Sequence, residues 1–122
     1  MMKKYFCNYE QSLALKELGF DEPCLAWYNW TGKELIFTNN QHVDIDPTNA
    51  PLKSQVFDWF RKKYRLSVLI NDCLDDYIGE IIRWTLTDDK IIIEVPNRIK
   101  TYEEAESACI DKLIEIVKKE KT

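Results

Sequence analysis

Residues 66–95 read LSVLINDCLDDYIGEIIRWTLTDDKIIIEV, and this stretch decides the fold class. It predicts three extended runs, Leu66 to Asn71, Ile78 to Thr87 and Lys90 to Val95, each rich in β-branched and aromatic residues. In the middle run Ile78, Ile82, Trp84 and Leu86 share one face while Arg83, Thr85 and Thr87 share the other. That period of two marks an antiparallel strand with one side buried. Asp88-Asp89 predicts a tight hairpin turn between the second and third runs. The acids Asp72, Asp75 and Asp76, beside Asn71 and Cys73, lack the spacing and the glycine of a calcium loop and read as a solvated turn.

Helical signals lie on either side. Downstream, Pro96-Asn97 breaks the extended pattern, and Thr101-Tyr102-Glu103-Glu104 forms a capping box with Thr101 as N-cap and Glu104 at N3. The helix it opens carries an apolar stripe of Ala105, Cys109, Leu113 and Ile116, flanked by Ala108, Ile110 and Val117. Acids stand in its first turn and lysines in its last, as the helix dipole favours. Upstream, a helix is predicted from about Pro51, with Leu52, Val56, Phe60 and Tyr64 in register, widened by Phe57 and Trp59. Residues 39–51, with two prolines and several asparagines, read as a loop.

Before that loop, Cys24 to Trp30 and Leu35 to Thr38 predict a hairpin turning at Thr31-Gly32-Lys33. The first helix has Asn8 as N-cap, Gln11 at N3 and Gly19 as the left-handed C′ residue, with Leu15 and Phe20 as the apolar pair of a Schellman motif. The predicted order is αββαβββα. It implies one α+β domain over residues 1–122, an antiparallel sheet of about five strands with three helices. Residues 8–50 would supply the N-terminal helix, hairpin and loop, and residues 51–122 an αβββα unit.

Composition excludes several classes. The chain has 122 residues and 45% apolar side chains with three glycines and four prolines, so fibrous and low-complexity readings fail. Seventeen basic against 21 acidic residues leave a net charge of −4, which gives no general field for a polyphosphate. Cys7, Cys24, Cys73 and Cys109 show no C-x-x-C spacing and predict reduced, structural thiols. No run of about 18 apolar residues predicts a membrane span, and no apolar segment follows Lys3-Lys4 as in a secretory signal. These features point to the cytoplasm.

Two resemblances bear on the chain. Leu13 to Glu22, Pro51 to Leu66 around Trp59-Phe60-Arg61-Lys62-Lys63-Tyr64, and Thr101 to Glu106 continuing through Lys112 to Val117 resemble small proteins of unassigned function recurring in phage and prophage genes of gut bacteria. That likeness spans most of the length and implies mobile-element origin without implying an activity. Residues 51–119 are also similar in element order to the double-stranded-RNA-binding domain, whose last helix starts with a basic cluster. The matching positions here are Thr101, Tyr102, Glu103, Glu104, Ala105 and Glu106, an anionic set that would repel phosphate.

The candidate functional residues fall into three groups. Trp27, Tyr28 and Trp30 give the hairpin two apolar faces. Either helices cover both, or the rings form an outward patch for a protein partner or for self-association. Arg61, Lys62, Lys63 and Arg65 concentrate positive charge at one helix end. They would serve a nucleic acid, or the helix dipole alone. His42, Asp44 and Asp46 alternate on one side of an extended segment, as metal ligands or acid–base groups would, and equally as the wet side of a loop. No glycine-rich phosphate loop, nucleophile elbow or Ser/His/Asp order is present. The sequence therefore predicts a non-enzymatic binding protein with no catalytic residues, no metal and no cofactor. Nucleic-acid association is the alternative.

Overall fold

The computed structural model describes residues 2–29, 34–37, 48–87, 89–95 and 98–121. Among the described residues the fold is α+β, with three α-helices and six strands. The strands do not form one sheet. They divide into two three-stranded antiparallel sheets, and the chain clusters into two compact units, Met1–Lys53 and Ser54–Thr122.

In the first unit, a short 3-10 turn (Met2–Tyr5) precedes helix α1 (Tyr9–Leu18). Its caps match the sequence expectation atom by atom. The Gln11 N–H donates to Asn8 Oδ1 at 2.7 Å and the Asn8 N–H donates to Gln11 Oε1 at 3.0 Å. At the other end Gly19 takes φ 98°, its N–H reaching Lys16 O at 3.1 Å, and the Phe20 N–H reaches Leu15 O at 2.9 Å. Only glycine adopts that backbone without a steric penalty, which is why the helix stops there.

Strand β1 (Ala26–Tyr28) lies between β2 (Leu35–Ile36) and β3 (Thr48–Ala50). Trp27 pairs with Ile36 on one side and with Asn49 on the other. Strand β3 corrects the expectation that residues 39–51 are all loop. Thr48-Asn49-Ala50 carries too little apolar character to show alternation, yet Thr48 and Ala50 are buried and Asn49 is exposed. The open edge of β1 recruits it, because unpaired backbone groups in a buried strand are costly. Phe6, Ala26, Tyr28 and Ala50 form one buried cluster of this unit, with Tyr9, Leu35 and Leu52 packed on it. The Tyr9 and Tyr28 rings meet edge to face at 5.7 Å, a geometry worth about 0.5–1.5 kcal/mol beyond area burial.

The second unit runs α2 (Lys53–Tyr64), β4 (Leu66–Cys73), β5 (Asp76–Trp84), β6 (Lys90–Glu94) and α3 (Tyr102–Lys121), with sheet order β4-β5-β6. Helix α2 buries Val56, Trp59 and Phe60. It ends at Arg65, whose φ of 59° turns the chain into β4 while its N–H reaches Arg61 O at 3.2 Å. Strands β4 and β5 join through Leu74-Asp75, Leu74 at φ 56°. The solvated turn expected from the acidic cluster is thus a two-residue hairpin. Strand β5 ends at Trp84 and β6 begins at Lys90, a longer connection than the expected turn at Asp88-Asp89, of which Asp88 lies outside the described residues. Thr85 explains the longer connection: its N–H and hydroxyl both donate to Asp89 O, at 2.9 and 3.1 Å, satisfying the loop locally.

A second correction concerns which side of β5 is inside. Ile78, Ile82 and Trp84 do not face the core. The inward residues are Gly79 and Ile81, with Tyr77 and Arg83 in the same row, and α3 packs across them. Gly79 explains the choice, since a Cβ there would lie 2.6 Å from Cys109 Sγ. A mid-strand glycine marks the place where another element comes close. Leu86, expected on the buried face, is 84% exposed. Helix α3 starts with the Glu104 N–H donating to Thr101 Oγ1 at 3.1 Å. It buries Ala105, Cys109, Ile110, Leu113, Ile114 and Val117, so its inner line passes through Ile114 rather than the expected Ile116.

Candidate interaction surfaces

On the side of the C-terminal sheet opposite α3 lie three of the exposed large apolar side chains, Leu69, Trp84 and Ile92. Register places Ser67 beside Ile82 and Ile82 beside Ile92, Leu69 beside Glu80, Asn71 beside Ile78, and Trp84 beside Lys90. Because strand side chains alternate, all of these share the outer face. Leu69, Trp84 and Ile92 are 46%, 40% and 50% exposed, while Ile78 and Ile82 are half-buried between them. Trp84 Nε1–H donates to Ser67 Oγ at 3.3 Å, and Asn71 Nδ2–H donates to Glu80 Oε1 at 3.3 Å. The indole is therefore tethered across two strands, pre-ordered as a flat apolar plate. An ordered aromatic loses little side-chain freedom on binding, which favours it as an anchor.

Trp27 and Tyr28, the expected alternative surface, are buried at 7% and 2% exposure. Their position on the central strand of a three-stranded sheet is the reason, and the internal option holds for both. Tyr28 donates its hydroxyl to Cys7 O at 2.7 Å, and burial, ahead of the charges of Cys7 and Glu10, pushes its pKa up to about 12. Trp27 Nε1 is buried with no hydrogen-bond partner. Trp30 lies outside the described residues, as do His42, Asp44 and Asp46.

Arg61, Lys62, Lys63 and Arg65 are all exposed. They do not converge into one free patch. Asp58 holds Arg61 in an ion pair and Lys62 in another at 3.0 Å. The Lys62 hydrogen bond, assisted by the charges of Lys62 and Arg61, keeps the Asp58 carboxyl below its ordinary range. Lys63 lies over the Trp59 and Tyr64 rings, 5.1 and 5.8 Å from their centroids. Along α2 runs a groove of about 580 Å³, whose lining includes Ser54, Asp58, Arg61, Ser67, Tyr102 and Glu106. Its guanidinium is already committed to Asp58 and its far wall carries a carboxylate, so it offers mixed rather than positive charge.

None of the four cysteines is in a disulfide. Burial, with the Glu106 charge second, raises the Cys109 thiol to about 11, and burial with Glu22 raises Cys24 to about 11. Neither is poised as a thiolate nucleophile. Among the described residues no group of three or more His, Cys, Asp or Glu side chains could hold a metal ion, and no helix is long and apolar enough to cross a membrane.

No protein-family model matches this chain, and no curated protein or solved structure matches it. The surfaces themselves therefore carry the functional argument. The residues that the sequence reading passed over, Leu69 and Ile92, sit in runs that are apolar at nearly every position. There alternation is too weak to tell an inner face from an outer one.

Proposed function

We propose that this chain is a small non-enzymatic interaction protein. Its outer sheet face, with Trp84 as anchor, receives the apolar stripe of an amphipathic helix from a protein partner. The observation that carries this is the set of Leu69, Ile78, Ile82, Trp84 and Ile92 on one outer face around Glu80, three of them exposed. A helix is the fitting occupant because the opposite face of the same sheet already takes one, α3, and sheets bury apolar faces under helices in α+β folds. Exposed apolar area of this kind on a regular element is a recognised mark of a contact surface. The likeness of Leu13 to Glu22, Pro51 to Leu66 and Thr101 to Glu106 to phage and prophage proteins supports mobile-element origin. Four cysteines outside any disulfide support a reducing compartment such as the cytoplasm.

The test compares tagged wild type with Leu69→Glu and Trp84→Glu in affinity capture from a bacterial lysate, each variant first shown to be folded by circular dichroism. A partner retained by wild type and lost by both variants supports the reading. Identical capture by all three proteins, or none by wild type, refutes it. Phosphate contact through Arg61, Lys62, Lys63 and Arg65 is a second reading, favoured by the exposure of all four side chains. It requires duplex binding that weakens steeply with salt and is lost in Arg61→Glu with Lys63→Glu.

A further inference from the structure

Strand β6 is an edge strand, and its backbone is only half used. The Val95 N–H donates to Gly79 O and the Thr85 N–H donates to Asp89 O, both at 2.9 Å. With Ile91 opposite Arg83 and Ile93 opposite Ile81, the odd-numbered positions are those hydrogen-bonded to β5. In an antiparallel ladder alternate residues turn their N–H and C=O groups to opposite sides. Positions 90, 92 and 94 therefore present theirs to the open edge, and among the described residues no strand pairs with it. Edge strands are usually blunted by a central charge, a proline or a bulge. The centre of β6 instead holds Ile91, Ile92 and Ile93, with Ile91 and Ile92 53% and 50% exposed.

We infer that β6 pairs antiparallel with β6 of a second copy of this chain, centred on Ile92, making one continuous six-stranded sheet across a two-fold axis. The sequence KIIIE is its own complement in that register. Position 92 faces position 92 of the copy, and position 90 faces position 94, a lysine opposite a glutamate on both sides of the axis. Every outward N–H and C=O of 90, 92 and 94 then gains a partner. Parallel pairing would set Lys90 against Lys90, a like-charge arrangement that strand pairs disfavour. The short strand implies an interface at the small end of the range, so exchange between monomer and dimer follows concentration. The inference stands on the β6 backbone and its charges, independently of the Trp84 surface.

The experiment is sedimentation of the full chain over a dilution series, with Lys90→Glu, Glu94→Lys and the double swap. Wild type is expected to form a concentration-dependent dimer. Each single swap sets like charges opposite one another and weakens the dimer at least tenfold, and the double swap restores it. Amide exchange gives a second readout: the Lys90 and Ile92 amides slow as concentration rises, while those of Ile91 and Ile93 are protected at every concentration. A wild type that stays monomeric at millimolar concentration overturns the inference, as do single swaps that leave the dimer intact. A monomer that still captures a partner through Trp84 sinks the dimer alone, whereas a dimer that captures nothing sinks only the partner reading.

Discussion

Replacing Gly79 with alanine probes the close approach of α3 to β5. A Cβ at this position lies 2.6 Å from Cys109 Sγ and 3.4 Å from both Cβ and Cγ2 of Val95. Ordinary carbon contacts sit near ~3.5–4.0 Å, so the sulfur, fully buried on α3, must move. Overpacking of this kind costs about 1–3 kcal/mol. Stiffening the unfolded chain offsets roughly 0.4–1 kcal/mol of that. The net expectation for Gly79→Ala is a loss of about 1–2 kcal/mol, a fall in Tm of roughly 5–10 °C for a unit of this size. Cys109→Ala alone leaves a small void and costs on the order of 1 kcal/mol. In the double variant the new methyl fills the space the sulfur vacated, so its loss falls short of the sum by roughly 1 kcal/mol or more. Urea and thermal melts of all four proteins measure this cycle. Strict additivity, or a Gly79→Ala protein as stable as wild type, would refute the reasoning.

Other outcomes follow from single contacts. Tyr28→Phe strips the buried Cys7 carbonyl of its donor at 2.7 Å and is expected to cost about 1–3 kcal/mol in a urea titration. Leu74→Gly relieves a left-handed backbone at a fully exposed side chain, so it should raise Tm, the gain being on the order of 1 kcal/mol. Native alkylation should label Cys73 before Cys24, whose thiol is held near 11, and should reach the buried Cys7 and Cys109 only on unfolding, as peptide mapping would show. Asp58 titrates below the ordinary carboxylate range because Lys62, then Arg61, favour its charged form. Its pairing therefore stabilises the folded chain above that range and is lost as pH falls through the folded value. Carboxyl NMR of Lys62→Met should show the Asp58 midpoint moving upward.

Local chemistry was the legible part of the fold. The caps at Asn8, Gly19 and Thr101 depend on neighbours within a few residues, and each formed as its spacing dictated. Long-range pairing was not legible. Nothing in Thr48-Asn49-Ala50 announces that its partner is Ala26 to Tyr28, and the separation into two sheets is a decision of that pairing. The inner side of β5 was misjudged because apolar content outranks shape in a pattern count. Ile78, Ile82 and Trp84 outweigh Tyr77, Gly79 and Arg83 in hydrophobicity, yet only the glycine row lets α3 settle. The candidate surface shares that origin, since the residues expected inside are those now facing out. Trp27 and Tyr28 were ambiguous for a related reason: a central strand needs two apolar faces, and a strand cannot reveal its rank before its neighbours are known.

The two sheets also differ in how far apart along the chain their partners begin. Strands β4, β5 and β6 are successive hairpins, so each new rung forms beside one already made. Ala26 must instead find Ala50 across the whole intervening segment, and closing such a span lowers chain entropy before any contact offsets it. The hairpin sheet is thus the early event in folding and the closure of β3 onto β1 the late one. A pulse of deuterium during refolding would see the amides of Ile81 and Ile82 shielded while that of Ala50 still exchanges.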